Sequence, residues 1–125
     1  AGDAVLKKVA TMLRDSLRRQ DLLARFGGEE FVALLPDTPL AGAAQLAEKL
    51  RHRIAASNWE GIIQGEGKVT ISIGCADNRP GNDFQALLNN ADTALYQAKT
   101  GGRNRVALAV GHGRSAVEPL PVPAA

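Results

Sequence analysis

The chain has 125 residues, 45% of them hydrophobic and 22% charged, which fits one soluble domain with a real core and excludes two. Its 15 basic residues nearly balance 13 acidic ones, for a net charge of +2, which excludes bulk electrostatic capture by a nucleic acid polymer or a membrane surface. A single cysteine, Cys75, excludes an internal disulfide and fits a reducing, cytoplasmic setting, and no apolar run approaches the ~20 residues of a membrane span.

Asp3 reads as an N-cap, followed by Val5, Leu6, Val9, Met12, Leu13 and Leu17 at helical spacing. Leu22–Phe26 and Phe31–Leu35 are apolar runs around Gly27 and Gly28, the pattern of a hairpin whose turn needs positive φ. Pro36-Asp37-Thr38-Pro39 is a break. Leu40, Ala43, Ala44, Ala47, Leu50 and Ile54 mark a second helix ending near Ser57-Asn58. Val69–Ala76 alternates as a strand, with Ile62-Ile63 starting a small hairpin into it. After a loop and cap at Pro80–Asp83, a third helix carries Phe84, Leu87, Leu88, Ala91, Ala94, Leu95 and Ala98 on one side and stops at Gly101-Gly102. Arg105–Val110 is a last short strand. The Pro-, Gly- and Ala-rich remainder has no periodicity, so we expect a domain at residues 1–109 and a disordered tail at 110–125. The order gives an α+β class, helices against a mainly antiparallel sheet. The chain starts within a helix signal and without Met or a signal peptide, and is expected to be part of a longer protein.

Three stretches carry chemistry. In "RFGGEEF", Glu29 and Glu30 point to opposite strand faces, and the bare Gly27-Gly28 backbone can approach a phosphate closely. Carboxylates beside a phosphate suit Mg²⁺, which bridges one or two carboxylates to substrate phosphates. The plain alternative is a tight turn with solvated glutamates. In "ALYQAKTGGRNRV", Lys99 and Arg103 can neutralise a polyphosphate or simply stabilise a helix end. In "RRQD", Arg18 and Asp21 are either a surface ion pair or an anion and guanine site, since Arg bonds guanine O6 and N7 and Asp accepts from guanine N–H groups. His52 and His112 lack metal-ligand spacing, Trp59 and Tyr96 read as packing residues, and Cys75 as buried and inert.

Together, "GD-VL" at Gly2–Leu6, "RFGGEEF" at Arg25–Phe31, "LLPDT" at Leu34–Thr38, "VTISIG" at Val69–Gly74 and "ADTALYQAKTGGRNRV" at Ala91–Val106 resemble, in order and spacing, the GGDEF family of diguanylate cyclases. The resemblance spans residues 1 to 108 or so. It implies a palm-like, ferredoxin-like nucleotidyl-cyclase fold and the condensation of two GTP into cyclic di-GMP and two pyrophosphates, in bacterial signalling. By position it implies Gly27 and Gly28 beside the GTP phosphates and Glu29 as metal ligand and catalytic carboxylate, with Glu30 supporting the same centre. It implies Lys99 and Arg103 on the terminal phosphates, and Asp3 on the guanine edge with Leu6 packing nearby. Arg18 and Asp21 match the family's RxxD site, where product binds and inhibits allosterically, and Lys49 stands at a second basic position of that site. Two Mg²⁺ (or Mn²⁺) per GTP site and a homodimer facing itself across two GTP molecules complete the implied machinery. No direct membrane contact by this domain is expected, although the full protein is open to membrane anchoring.

The family's usual opening strand and helix, with further acidic and guanine-contacting residues, is not in this chain. Asp3, Asp15 and Asp21 are the acidic residues before the hairpin, all on helix-associated positions. A missing central strand leaves buried backbone groups of its neighbours unpaired, at ~1–3 kcal/mol each, so the chain alone is expected to be inactive and either to be the C-terminal part of a fuller domain or to fold only with a partner. The alternatives are a non-catalytic GGDEF-type receptor for GTP or cyclic di-GMP, and an unrelated palm-like nucleotidyltransferase, which would not need RxxD beside "RFGGEEF".

Overall fold

A computed structural model describes residues 3–25, 30–62, 68–78, 81–110 and 116–119. The first helix, α1 (Asp3–Ser16), buries Val5 and Val9, one turn apart, against Ile54 and Trp59. Met12 and Leu13 extend the same stripe. Asp3 is the first residue of the helix rather than its cap, so its carboxylate lies in the first turn, where the helix dipole favours an anion.

Strands β1 (Leu22–Arg25) and β2 (Phe31–Leu34) pair antiparallel, Leu22 opposite Leu34 and Arg25 opposite Phe31. This is the hairpin expected from the paired glycines; residues 26–29, its turn, lie outside the described residues. Helix α2 (Leu40–Ala56) starts after Pro39 and buries Ala44, Ala47, Leu50, Arg51 and Ile54. Its last turn is closed by Trp59, whose Nε1–H donates to the Ile54 carbonyl at 2.9 Å, while the Lys8 ammonium lies 4.6 Å from the Trp59 ring centre. Met12 and Ser16 of α1 meet Ser57 and Arg53 respectively, so α1 and α2 run antiparallel.

Strand β3 (Ile73–Cys75) pairs parallel with β4 (Val106–Val110) through the crossover helix α3 (Phe84–Thr100), and β4 pairs antiparallel with β5 (Ala116–Pro119). Helix α3 is capped by Asp83, whose carboxylate accepts from the Ala86 N–H at 2.9 Å. Ala94 and Ala98 of α3 are fully buried against Ala107. Small residues there bring helix and sheet close, and Gly74 brings them closer still. A Cβ at Gly74 would lie 2.8 Å from the Leu95 Cα and closer yet to the Leu95 nitrogen and the Ala91 carbonyl oxygen, so only glycine fits.

The fold is thus α+β, with two of the three strand pairings among the described residues antiparallel. Three expectations shift. The strand expected over Val69–Ala76 is ladder-paired only at Ile73–Cys75, although Val69 and Ile71 still pack on the Val5–Trp59 cluster. Among the described residues β2 pairs only with β1, and β3 only with β4, so the hairpin and the β3–β4–β5 sheet are separate. Residues 116–119, placed in the disordered tail on composition, form β5: the open edge of β4 offers unpaired backbone groups, and an edge position tolerates Pro119. Ile62 sits in a turn, its N–H donating to the Trp59 carbonyl; Ile63 and the rest of the expected hairpin loop lie outside the described residues.

Candidate functional site

The RxxD stretch is a closed turn after α1. The Asp21 N–H donates to the Arg18 carbonyl at 3.0 Å, and the Arg18 N–H donates back to Asp21 Oδ2 at 2.8 Å. The Arg18 guanidinium adds an ion pair, Nη2 to Oδ1 at 3.3 Å. That backbone hydrogen bond, helped by the guanidinium, holds the Asp21 carboxyl below its ordinary value. Arg18 Nη2 also donates to the Pro36 carbonyl (2.8 Å) and to Thr38 Oγ1 (2.6 Å). The break between β2 and α2 therefore has a task that composition did not reveal: it orients Arg18. The side chain stays 48% exposed, and its Nη1 donors have no partner among the described residues.

Lys49 is exposed on α2, one turn before Arg53. Arg53 Nη1 donates to Ser16 Oγ at 2.9 Å, beside the start of the RxxD turn. Because the helices are antiparallel, Lys49 lies from Arg53 toward the α2 end that Arg18 reaches through Thr38. Arg53 thus reaches the C-terminal end of α1, and Lys49 is exposed one helical turn from it on α2. Sequence spacing pointed to Arg18 and Asp21, and the family resemblance to Lys49, but neither pointed to Thr38 and Arg53, whose contacts run across the chain.

At the other proposed site, Lys99 lies in the last turn of α3, half-buried, and Arg103 follows on an exposed loop. The helix ends through Gly101 N–H to the Gln97 carbonyl (2.8 Å) and Arg103 N–H to the Ala98 carbonyl (2.9 Å). Gly102 at φ 130° then lets the chain reverse, and Arg103 and Asn104 are both left-handed at φ 61° and 47°. Neither Lys99 nor Arg103 has a side-chain ion pair or hydrogen bond among the described residues, so two cations stand uncommitted at one end of α3. Asp3 is exposed and Leu6 half-buried three residues on, the same helix face. Glu30 is exposed at the entry to β2; Gly27, Gly28 and Glu29 lie outside the described residues.

Beneath the Arg103 loop lies a cluster that sequence spacing did not single out. Arg51 is only 6% exposed. It grips Glu48 through Nε–Oε1 (2.7 Å) and Nη2–Oε2 (2.6 Å), and its Nη1 donates to Asn104 Oδ1 at 2.8 Å. Asn104 N–H in turn donates to Ser72 Oγ at 3.1 Å. The bidentate hydrogen bonds hold Glu48 below its ordinary value and Arg51 above its own. The one signal in the sequence was an acid three residues before a base on a helix. Cys75 is buried as expected, its thiol pushed up to about 11 by desolvation, and Trp59 is packed at 1% exposure. Tyr96, expected in the packing, is 65% exposed on α3.

Among the described residues no three His, Cys, Asp or Glu side chains cluster to hold a metal. Glu30 and its sequence neighbour Glu29 are carboxylates, the donor chemistry a hard divalent cation prefers. No helix of the described residues is long and apolar enough to cross a membrane.

The sequence model described as "Diguanylate cyclase, GGDEF domain" matches residues 1–105. The chain is 46% identical over 110 residues to diguanylate cyclase DgcP of Pseudomonas aeruginosa, covering 87% of this chain and 16% of that protein. It is 44% identical over 108 residues to the response regulator PleD of Caulobacter vibrioides, covering 84% of this chain and 24% of that protein. Its fold matches the crystal structure of the GGDEF domain of DgcB from Caulobacter crescentus in complex with c-di-GMP, with TM-score 0.80, 32% identity, and coverage of 85% of this chain and 63% of that one. The active GGEEF domain of a diguanylate cyclase from Vibrio cholerae matches with TM-score 0.78, 28% identity, and coverage of 87% and 69%. The chain spans under a third of the length of these curated relatives, and it belongs to the GGDEF family of diguanylate cyclase domains.

Proposed function

We propose that this chain is the C-terminal part of a diguanylate cyclase catalytic domain that joins two GTP molecules into cyclic di-GMP and carries its own product-inhibition site. The observation that carries the reading is the pair of uncommitted cations, Lys99 and Arg103, at the reversed end of α3 in a chain that also holds "RFGGEEF". Lys99 and Arg103 hold the terminal phosphates, where positive charge offsets the charge that builds on the departing pyrophosphate. Gly27 and Gly28 let the backbone approach the phosphates. Glu29 and Glu30 would hold Mg²⁺ or Mn²⁺, two ions per GTP site, which supply charge stabilisation at attacking and leaving oxygens. Asp3 accepts from the guanine edge and Leu6 packs beside the base. In each half-reaction a 3′-hydroxyl oxygen bonds to the α-phosphorus of the other GTP, the bond to pyrophosphate breaks, and the hydroxyl proton leaves to solvent. Two domains must face each other, so the homodimer sets the encounter.

The separation of the hairpin from the β3–β4–β5 sheet supports an upstream strand between them in the full protein. The full polypeptide should therefore turn over GTP with Mg²⁺ while residues 1–125 alone do not. Glu29→Gln and Arg103→Ala in the full polypeptide should each lower kcat/KM by at least about tenfold. Turnover of GTP unchanged in both variants would sink the proposal.

A second reading, a receptor that binds cyclic di-GMP without turnover, rests on the RxxD turn being complete within the described residues. Titration calorimetry with cyclic di-GMP beside a GTP turnover assay separates them. Heat of binding with no turnover in the full polypeptide supports the receptor.

A further inference from the structure

We propose that Arg51 is a positioning residue for substrate: through Asn104 it fixes the left-handed turn that aims Arg103 at the triphosphate. The inference rests on the reading of Arg103 as a phosphate ligand and adds the device that holds it. A guanidinium is seldom buried without good reason, since removing it from water is costly unless it is fully paired. Glu48, on the same helix, answers its charge with two bonds. A helix-stabilising pair would be complete at that point. Arg51 instead directs its Nη1 across to Asn104, 53 residues on, at 2.8 Å.

That bond reaches two successive non-glycine residues in the left-handed region. Asn tolerates the left-handed region because its short amide finds local partners, but Arg does not favour it. Yet Arg103 and Asn104 occupy it in succession, at φ 61° and 47°. Four groups around the turn are held. The Arg103 N–H is bonded to Ala98, its carbonyl accepts from Arg105 Nε at 3.1 Å, the Asn104 N–H is bonded to Ser72, and the Asn104 side chain is bonded to Arg51. The Arg103 side chain alone is left exposed and unpaired among the described residues. A backbone this constrained around one free cation is what preorganised phosphate binding requires. Arg51 supplies the one constraint that comes from α2.

The test uses initial rates of the full polypeptide against GTP concentration. Asn104→Gly keeps the left-handed backbone available and removes the Arg51 contact. It should raise KM for GTP about five- to tenfold with kcat within about twofold. Arg51→Met should raise KM similarly; if it does not fold, Asn104→Gly stands alone as the probe. The discriminating measurement is the double variant. In an Arg103→Ala background, Asn104→Gly should add less than about twofold to KM, because the group it positions is gone. Full additivity of the two changes, or an unchanged KM in Asn104→Gly while Arg103→Ala raises it, would overturn the positioning role and leave the phosphate role standing. An unchanged KM in Arg103→Ala would overturn both.

Discussion

Two arginines of this chain each meet an acid three residues away, with opposite consequences. Arg18 keeps its side chain 48% exposed while the side chain it meets, on Asp21, is only 2% exposed; Arg51 is itself 7% exposed and its partner Glu48 25% exposed. In the first, the backbone N–H of residue 18 does much of the work of holding the carboxylate, and one edge of the guanidinium faces out. In the second, donors on all three guanidinium nitrogens are engaged and the side chain is 7% exposed. The same spacing therefore leaves the guanidinium open to solvent in one place and fixes it as a strut in the other. Exposure of the arginine decides which, because a guanidinium that reaches water stays solvated without its partner while a buried one does not.

The largest expected effect breaks the strut. Arg51→Ala should cost about 3–5 kcal/mol of stability, measured by urea unfolding, since it strands Glu48 and Asn104. Arg18→Ala should cost under about 1 kcal/mol, because the backbone bond to Asp21 survives. Equal losses in the two variants would dissolve the contrast. Gly74→Ala should cost about 3 kcal/mol, through overpacking of β3 against α3 at the foot of the same sheet. If unfolding midpoints are unmoved, the close approach of strand and helix is not as described.

In function the ranking reverses. Arg18→Ala should weaken inhibition by cyclic di-GMP at least about tenfold, with Lys49→Ala smaller, while KM for GTP stays within about twofold. An inhibition constant unmoved by Arg18→Ala would leave the turn a structural feature only.

The smallest effects are those of pH. Glu48 is more acidic in the folded chain than its ordinary 4.5, so its contribution is present above that value and is lost as pH falls through the folded value. Glu48→Gln should flatten the stability curve in that acidic window and leave its slope near pH 7 unchanged. Cys75 works in the other direction. Its folded thiol is raised to about 11 from 9.0, so above pH 9 the unfolded chain ionises first and stability falls with rising pH. At pH 8 it should resist a thiol-specific reagent in the native chain and react on unfolding; fast native labelling would contradict its burial.

Much of the fold could be read from the residues. Helical periodicity placed α1, α2 and α3 to within a few residues, and the paired glycines marked the hairpin between β1 and β2. Asp83 and Gly101 appear at the ends of α3, where local chemistry puts a cap and a stop. Elements that depend on distant partners were not legible. Strand β5 forms because β4 has an edge to pair with, and composition carries no sign of that edge. The shortening of the strand after Val69 has the same origin, since a ladder ends where its neighbour ends. At the sites, Arg18, Asp21, Lys99 and Arg103 stood out by residue type and spacing. Thr38, Ser72 and Asn104 did not, because each acts through a contact more than 15 residues away in the chain.

By itself the sequence determined which residues can carry chemistry: two glutamates by two glycines, two cations at a helix end, an arginine and aspartate one turn apart. Among the described residues, only the tertiary structure decided which cations stay at least partly open to solvent, as at Lys99 and Arg103, and which are consumed in holding others still, as at Arg51. The reason is physical: charge and hydrogen-bonding capacity belong to the side chain, whereas burial, the left-handed turn at Arg103 and the bond from Arg51 to Asn104 exist only once distant segments have been brought together.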